Sequence, residues 1–467
     1  MLTSLKGTTF THMKKTCFLF FLMGVAVSVL AQNQLDKYVI YASENQIETL
    51  LDPGGIVTSP VDLDFHPDTI NRPDELWVLN QGTEQTGGHT VVFNNINTAQ
   101  PRSRKIQDGN AWHFMALASS MAFGSNGNWA TAQDIQDANH SGGAFTGPAL
   151  WSSDTTVYGV IGNPPTAQTN GSRIDVCHQS PYGKGIAYET DNVYWLMDGY
   201  LGTLKRYDFK KLRAPGELGN YDTEVAVYTD FSFTMDTELP AHIVIDENQK
   251  WLYGCDTKGK NVFRIDITSG SYEKDLSTVT SEPLGAYEAF TGHTQEVLFT
   301  ENLDRPVGID IQGDRLIVSD FGLAELILYD LQNMEEVGRI SLKSITGIGV
   351  KGVKIGAQHK IYICDDGNDQ VHVLDNPKTI TPTGVDDVQS LGGIQVFPNP
   401  VREKLNFTVK DQNATYNVFS VAGEILMGGK VLNGTHHIPT SSLDNGLYLL
   451  SITSEEGTSL QRFQVIK

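Results

Sequence analysis

Basic residues, cysteines and long hydrophobic runs are all scarce in this sequence. Its 467 residues contain 34 Lys and Arg against 55 Asp and Glu, which gives a formal net charge of −21 at pH 7. Nucleic acid and anionic lipid surfaces repel a chain with this charge, so we expect no nucleic-acid partner. Only four cysteines are present, and their wide spacing excludes the framework of a disulfide-rich fold.

Several catalytic motifs are also missing. The sequence has no Gly-x-Ser-x-Gly elbow, no His-Glu-x-x-His pair, no phosphate-binding loop and no dinucleotide fingerprint. These absences exclude the enzyme classes that those motifs define. Isolated carboxylates recur at one position of the repeats described below, at Asp256, Asp320 and Asp365. Their recurrence favours a role in turns over acid–base catalysis.

The long hydrophobic run near the N-terminus predicts an export signal. Met13-Lys14-Lys15 supplies positive charge, "CFLFFLMGVAVSVL" follows, and residues 29–31 (Val-Leu-Ala) form a cleavage site. We therefore predict a signal peptide over residues 1–31. The run is too short for a stable membrane span, so we expect no transmembrane segment in the mature chain. Cleavage leaves three cysteines, either all as buried thiols or with one pair joined: Cys177, Cys255 and Cys364.

The C-terminal part predicts a separate small domain. Residues 379–391 are rich in Pro, Thr, Gly and Asp and form a linker, and short alternating strands follow over residues 392–467. Pro-Asn-Pro, Ala-Gly and Asn-Gly turns separate these strands, which is typical of a small β-sandwich. The motifs "FPNP" (397–400) and "LDNGLY" (443–448) and the basic-apolar tail resemble the C-terminal sorting domain of type IX secretion cargo. The resemblance implies handling by the type IX secretion machinery, removal of this domain, and release or attachment at the outer-membrane surface.

Residues 36–378 contain a repeated pattern. Each unit has an apolar strand, a polar turn, a strand rich in aromatic and β-branched residues, an Asp-containing turn and a third strand. Six residues mark the second strand of successive units: Trp77, Trp129, Trp195, Trp251, Ile317 and Ile363. Their spacing predicts a six-bladed β-propeller, in which each blade covers the apolar face of its neighbour. We therefore expect an all-β chain, a propeller followed by a sandwich.

The last four units resemble the blades of NHL-repeat propellers. The match covers residues 175–375, and "PVGID" and "LIVSD" (306–320) are examples of the pattern. In this family the first strand of each blade lines a central channel, and the loop that enters it opens on one face. The stretch "LDKYVIYASEN" (35–45) is expected to complete the last blade, because circular closure removes exposed sheet edges.

Three histidines lie just before first strands of successive blades. His113, His178 and His242 would therefore lie near the same rim of the channel. Three imidazoles that converge with one open position suit a catalytic divalent metal, most readily zinc. The alternative is that each histidine caps a strand or packs within a loop.

One unit also resembles a blade of peptidyl-α-hydroxyglycine α-amidating lyase, an NHL-like propeller with a zinc ion in its channel. The stretch 178–209 shares a His ahead of a Pro, an apolar strand and an Asp-Gly-Tyr turn. The resemblance implies that His178 is a metal ligand and Tyr200 a general base or oxyanion partner. At the position of the family's third metal ligand this sequence reads "DRPVGID", which contains no histidine, so His113 would have to serve as the third ligand. Arg305, at a strand entrance, is a positional candidate for the family's active-site arginine.

The Gly-rich stretch 130–154 is too irregular for a plain pair of strands. It holds Asp134, Asp137 and His140, and a long insertion in a propeller commonly lies over the channel mouth. The alternative is a solvated loop with local Asx turns. Its acidic residues lack the spacing of an EF-type calcium loop.

Two functions from different classes remain open. The first is a secreted or cell-surface module that binds a glycan, peptide or small molecule on the loop face or in the channel. The second is a metal-dependent channel-site enzyme, a lyase or hydrolase acting on a small organic substrate. The fold alone does not decide between them, because propellers host both binding and catalysis.

Overall fold

The computed structural model describes residues 33–380 and 396–467, apart from gaps at 53, 99, 167–169, 218–220, 249, 346–348, 410–413, 421–424 and 455–456. These residues belong to two compact units, Asn33–Ile380 and the C-terminal part. The predicted signal peptide (1–31) and residues 381–391 of the predicted linker lie outside the described residues. None of the helices in the described part is long and apolar enough to cross a membrane.

Strands dominate both units, as the sequence predicted. The helices are short: Gln34–Asp36, Ala42–Glu44 and Ala357–His359 are 3-10 turns, and Lys37–Ile40 (α1) and Ala111–Phe114 (α2) are α-helical. The strands of the first unit are, in chain order, Gln46–Thr49 (β1), Pro60–Phe65 (β2), Leu76–Thr83 (β3), Gly87–Asn94 (β4), Arg102–Ile106 (β5), Ala118–Phe123 (β6), Asn128–Gln133 (β7), Ala149–Ser152 (β8), Asp175–Val176 (β9), Gly183–Thr190 (β10), Val193–Asp198 (β11), Thr203–Asp208 (β12), Glu224–Tyr228 (β13), Ile243–Ile245 (β14), Trp251–Asp256 (β15), Asn261–Asp266 (β16), Ser271–Asp275 (β17), Ala286–Thr291 (β18), Gln295–Phe299 (β19), Pro306–Gln312 (β20), Arg315–Asp320 (β21), Glu325–Asp330 (β22), Glu335–Ser341 (β23), Val353–Ile355 (β24), Ile361–Asp365 (β25) and Gln370–Asp375 (β26).

Within the described part of this unit, the strands form six sheets, numbered here in chain order. Sheets 1 and 2 contain β2–β5 and β6–β9, sheet 3 contains β10–β13 with β18 and β17, and sheet 4 contains β14, β15, β16 and β19. Sheet 5 contains β20–β23, and sheet 6 contains β24, β25, β26 and β1. The first strand of each sheet contacts the first strand of the next, and β24 contacts β2. The unit is therefore all-β and propeller-like, with a channel between the six first strands.

The N-terminal strand completes the last sheet, but not with the predicted residues. β1 pairs antiparallel with β26, with Gln46 opposite Asp375. Residues 35–45 form short helical turns instead of a strand. The buried carboxylate of Asp36 accepts hydrogen bonds from the Arg315 guanidinium at 2.7 and 3.0 Å, and the buried Tyr38 donates to the carbonyl of His359. These contacts with sheets 5 and 6 hold the segment in its helical form.

Close packing of the first strands depends on glycine. A Cβ at Gly185 of β10 would lie 2.1 Å from the Ala241 carbonyl oxygen, and one at Gly308 of β20 would lie 2.2 Å from the Lys351 carbonyl oxygen. Any larger residue would push neighbouring sheets apart. Hydrophobic cores lie between adjacent sheets, for example around Trp77 of sheet 1 and Trp129 of sheet 2, whose ring centroids are 5.4 Å apart.

A hairpin crosses from sheet 4 to sheet 3. The chain leaves β16, forms β17 and β18, and returns to β19, while β18 pairs in parallel with β13 of the neighbouring sheet. This exchange extends sheet 3 to six strands and joins two sheets through backbone hydrogen bonds. The loop between β17 and β18 lies beside residues 178–180, because Gln179 accepts from the backbone N–H of Val279.

The three cysteines of the first unit are buried free thiols: Cys177, Cys255 and Cys364. Burial raises the pKa of each thiol well above its ordinary value. Of the two alternatives that the sequence left open, three buried thiols or one disulfide-bonded pair, the structure shows the first.

The C-terminal unit contains two sheets around one core. Its strands are Val396–Phe397 (β27), Lys404–Val409 (β28), Ala414–Ser420 (β29), Ile425–Val431 (β30), Gly434–Pro439 (β31), Gly446–Ser454 (β32) and Gly457–Val465 (β33). β27, β28 and β31 form one sheet, and β30, β29, β32 and β33 form the other. Leu405 and Phe407 from the first sheet share a buried cluster with Val418 and Leu450 from the second.

Candidate functional site

The upper layer of the channel is occupied by His242. This residue precedes β14 of sheet 4 and is 3% exposed. Its Nε2 lies 3.0 Å from the carbonyl oxygen of Ser119 in sheet 2, and its Nδ1 lies 3.6 Å from the Asp62 carboxylate in sheet 1. Because sheet 3 lies between sheets 2 and 4, the imidazole reaches across the channel. His242 therefore narrows the channel just below the loops that enter the first strands.

A second polar layer lies deeper in the channel. The ammonium group of Lys354 lies 3.1 Å from the Asp64 carboxylate and 3.2 Å from the Asp310 carboxylate. Burial raises the pKa of Asp310, and Lys354 opposes that rise. A cavity of about 190 Å³ remains between residues of all six first strands. One ammonium group and two carboxylates share this layer, so the channel is a polar but largely filled interior.

The mouth of the channel is wider. Two adjoining cavities of about 390 and 450 Å³ share Met235 and Thr237, which lie in the loop before β14. Both volumes fall within the range of about 300–1,000 Å³ that is usual for small-molecule pockets. Ionisable side chains line the two cavities: Glu84, Asp134, Asp137, His140, Tyr182, Lys184, Asp236, Glu238, Lys258, Lys260, Asp304 and Arg305. We call this pair of cavities the mouth site.

Positive and negative groups pair around the mouth site. Lys184, at the start of β10, lies 2.5 Å from the Asp134 carboxylate. Burial raises the pKa of Asp134, and the Lys184 charge opposes that rise. Arg305, just before β20, lies 2.7 Å from Asp236 and 3.0 Å from Glu238. Burial acts to raise the pKa of Asp236, but hydrogen bonds from Glu238 N–H and Arg305 outweigh it and lower the pKa.

Arg305 and Tyr200, the two predicted catalytic residues, belong to the same face but differ in their surroundings. Arg305 lines the mouth site and pairs with carboxylates. Tyr200 lies on the turn between β11 and β12 with 47% of its surface exposed. Asp198 holds this turn by accepting from the N–H of Leu201 and by pairing with Lys205. Their catalytic roles remain predictions.

The three predicted metal ligands do not share one location. The rings of His113 and His178 lie 5.4 Å apart between sheets 2 and 3, whereas His242 is bonded within the channel. Burial lowers the pKa of His113 to about 4, with the His178 ring adding to the effect. No group of three or more His, Cys, Asp and Glu side chains suited to a metal ion occurs among the residues that the structure describes. The zinc hypothesis stays a prediction, with two of its three ligands adjacent.

The stretch 130–154 contributes to the mouth. Asp134, Asp137 and His140 line one of its cavities. The Asp137 carboxylate accepts from the backbone N–H groups of Asn139, Ser141 and Gly143, and these bonds outweigh burial and lower its pKa to about 2. The loop is thus closed by local Asx-type hydrogen bonds while its outer residues shape the cavity wall.

Sequence reasoning missed Lys184 and Asp236. A signal was present for the lysine, because Gly183-Lys184-Gly185 and Val350-Lys351-Gly352 both place a lysine directly before a glycine at the entrance to a first strand. Both lysines are almost fully buried and pair with carboxylates, Lys351 with Asp366 at 2.9 Å. Asp236 carries no comparable pattern, since its loop does not repeat.

Comparison with known proteins identifies the C-terminal unit. Residues 395–467 match the family described as the secretion system C-terminal sorting domain. The C-terminal unit is a sorting domain. The match confirms the resemblance noted for residues 392–467, and it means that the chain is exported through type IX secretion to the cell surface or outside. No curated protein sequence matches the chain.

Solved structures show weaker similarities. An auxiliary nutrient binding protein from Bacteroides ovatus ATCC 8483 is 12% identical, with a TM-score of 0.44 over 72% of this chain and 77% of that chain. A luciferin-regenerating enzyme is 14% identical, with a TM-score of 0.41 over 72% of this chain and 96% of that chain. PorZ, a surface component of the type-IX secretion system of Porphyromonas gingivalis, is 12% identical, with a TM-score of 0.36 over 85% of this chain and 50% of that chain. Similarities of this size carry no information about activity.

Proposed function

We propose that the protein is a secreted or cell-surface six-bladed β-propeller that binds a small polar ligand at the mouth site. Six sheets whose first strands contact one another in a closed ring support the blade number. Two sheets around one core support a sandwich for the C-terminal unit. The sorting domain then delivers the propeller to the surface or releases it.

The two adjoining cavities of the mouth site are the observation that carries the proposal. They lie above a channel that His242 and Lys354 occupy, so a ligand engages the loop face and does not pass through. The ion pair between Arg305 and Glu238 is open to water, because 74% of the Glu238 side chain is exposed. Exposed pairs contribute little stability, so a ligand can replace one partner at small cost.

The charge pattern of the mouth favours a ligand that carries both signs. Lys258, Lys260 and Arg305 offer positive groups beside Glu238 and Asp304. Complementary charges orient a ligand and weaken the binding of ligands whose charges lie opposite like charges. A short peptide with a free ammonium and a free carboxylate group is the simplest such ligand, and peptides are among the ligand classes that the sequence left open.

The test uses pooled dipeptides with free termini and the full chain. Saturation-transfer NMR is expected to detect binding, and the same dipeptides with acetylated and amidated termini are expected to bind at least about 10-fold more weakly. Arg305→Met should weaken binding by about 10-fold or more, since a hydrogen bond to a charged group contributes about 1.5–3 kcal/mol. The matched control is Lys274→Met, because the Lys274 side chain is 61% exposed and pairs only with its neighbour Glu273 among the described residues. Equal binding by the two variants would remove the mouth site as the binding site.

A further inference from the structure

A separate cavity of about 320 Å³ lies between sheets 2 and 3. It shares no lining residue with the mouth site, and its walls come from α2, the loop before β10 and the loop between β17 and β18. Its lining includes His113, Phe114, Phe145, Arg173, His178 and Glu282. We call this cavity the histidine pocket.

Two buried polar atoms of the histidine pocket lack a partner among the described residues. His178 is 4% exposed, and its Nδ1 lies 3.1 Å from the Glu282 carboxylate, but its Nε2 is unpaired. Arg173 is 5% exposed and donates through its two terminal nitrogens to the carbonyls of Asn170 and Glu217, yet its Nε is unpaired. Buried polar groups nearly always have hydrogen-bond partners, so these two atoms point to a bound molecule.

The one basic and the one acidic side chain that line the pocket, Arg173 and Glu282, carry opposite charges. Burial lowers the pKa of Arg173 to about 10, although three carboxylates, Asp108, Asp175 and Glu282, oppose that shift. Glu282 in turn accepts from the backbone N–H of His178 at 2.6 Å. A ligand with its own net charge would place an uncompensated charge beside the buried side chains of Arg173 and His178, which is costly. The pocket therefore favours a neutral ligand.

Aromatic faces supply the rest of the wall. The ring of Phe145 stacks on His178 with centroids 3.9 Å apart, and the Arg173 guanidinium lies 4.3 Å from the centre of the Phe114 ring. Tyr221, which is 61% exposed, stands at the rim. Aromatic side chains that line a cavity provide apolar surface for the C–H groups of a saturated ring.

We propose that the histidine pocket binds a neutral sugar ring. A hydroxyl group both donates and accepts, so hydroxyls can satisfy the Nε–H donor of Arg173 and the Nε2 of His178 whatever the tautomer. The volume lies at the lower end of the range for small-molecule pockets, which suits one or two sugar residues. This inference is independent of peptide binding at the mouth site.

The first experiment compares neutral sugars with their acids on the full chain. The probes are the methyl glycosides of glucose, galactose, mannose and N-acetylglucosamine, with glucuronate and galacturonate as charged counterparts. Isothermal titration and saturation-transfer NMR are expected to show at least one neutral glycoside binding with a Kd of about 1 mM or lower. The matching uronate should bind at least 10-fold more weakly. Failure of every neutral glycoside, or tighter binding of a uronate, overturns the proposal.

Variants locate the binding. His178→Phe keeps a ring against Phe145 but removes Nε2, and it should weaken the glycoside at least 10-fold, whereas Arg305→Met at the mouth should leave it unchanged. If His178→Phe does not fold, the ring nitrogens of the wild-type protein are observed by long-range 1H–15N NMR. The Nε2 signal of His178 should shift on addition of the glycoside. No shift, or glycoside binding that EDTA abolishes together with stoichiometric zinc, overturns the proposal in favour of another site or of a metal.

Discussion

The buried ion pair between Lys205 and Asp198 should dominate the stability of sheet 3. Both side chains are 0% exposed. Burial acts to lower the pKa of Lys205, but the Asp198 charge outweighs burial and the net shift is upward. Lys205 also donates to the carbonyl of Gln179 in the loop before β10. Lys205→Met would leave the Asp198 carboxylate buried without its counter-charge, and breaking a buried pair in this way costs about 3–5 kcal/mol.

The expected loss can be measured by calorimetry. The first unit has about 350 residues, and unfolding entropies of about 2.1 cal/mol/K per residue convert 4 kcal/mol into a fall in Tm of about 5–6 °C. The double variant Lys205→Met with Asp198→Asn should recover part of this loss, because it removes the unpaired charge while the amide oxygen still accepts from Leu201. Lys274→Met, in an exposed pair, should change stability by less than about 0.5 kcal/mol. If Lys205→Met destabilised the protein no more than Lys274→Met, the buried pair would not have the role assigned to it.

Two further predictions concern the loop over the mouth and the contact between sheets 5 and 6. Asp137→Asn should cost about 2 kcal/mol by weakening three charge-assisted hydrogen bonds. The folded pKa of Asp137, about 2, lies below its ordinary value of 3.8, so its contribution is present above pH 3.8 and disappears as the pH falls toward 2. Acid-unfolding curves of the wild type and the variant should therefore converge in that window, and parallel curves would contradict the assignment. Gly308→Ala should cost about 1–3 kcal/mol by forcing a Cβ against the Lys351 carbonyl, while Gly143→Ala, whose Cβ would meet nothing closer than 3.5 Å, should be nearly neutral in urea denaturation.

The repeat pattern was enough to predict an all-β, propeller-like unit, because alternating strands and Asp-containing turns are local features. The turn carboxylates behave as the recurrence suggested. Asp320 accepts from the backbone N–H groups of Asp304 and Leu323, and Asp365 accepts from that of Asn368. The bonds from Leu323 and Asn368 each join a turn to the end of its own strand, and such contacts follow from a short stretch of sequence, whereas the bond from Asp304 links the end of β21 to the segment before β20.

Contacts between residues far apart in the sequence could not be predicted in the same way. The hairpin β17–β18 pairs with sheet 3 although it is inserted in sheet 4, and nothing in its own residues specifies a neighbour across the sheet boundary. The histidines show the same limit. The sequence shows that each histidine precedes a first strand. The direction of each ring, however, depends on tertiary partners, Ser119 for His242 and Glu282 for His178.

The most direct test of ligand binding at the mouth site is a crystal structure of the full chain with the dipeptide that gives the strongest NMR response. We expect electron density for the dipeptide in the cavities that share Met235 and Thr237, with its carboxylate beside Arg305. Density inside the channel below His242, beside Lys354, would contradict binding at the mouth site.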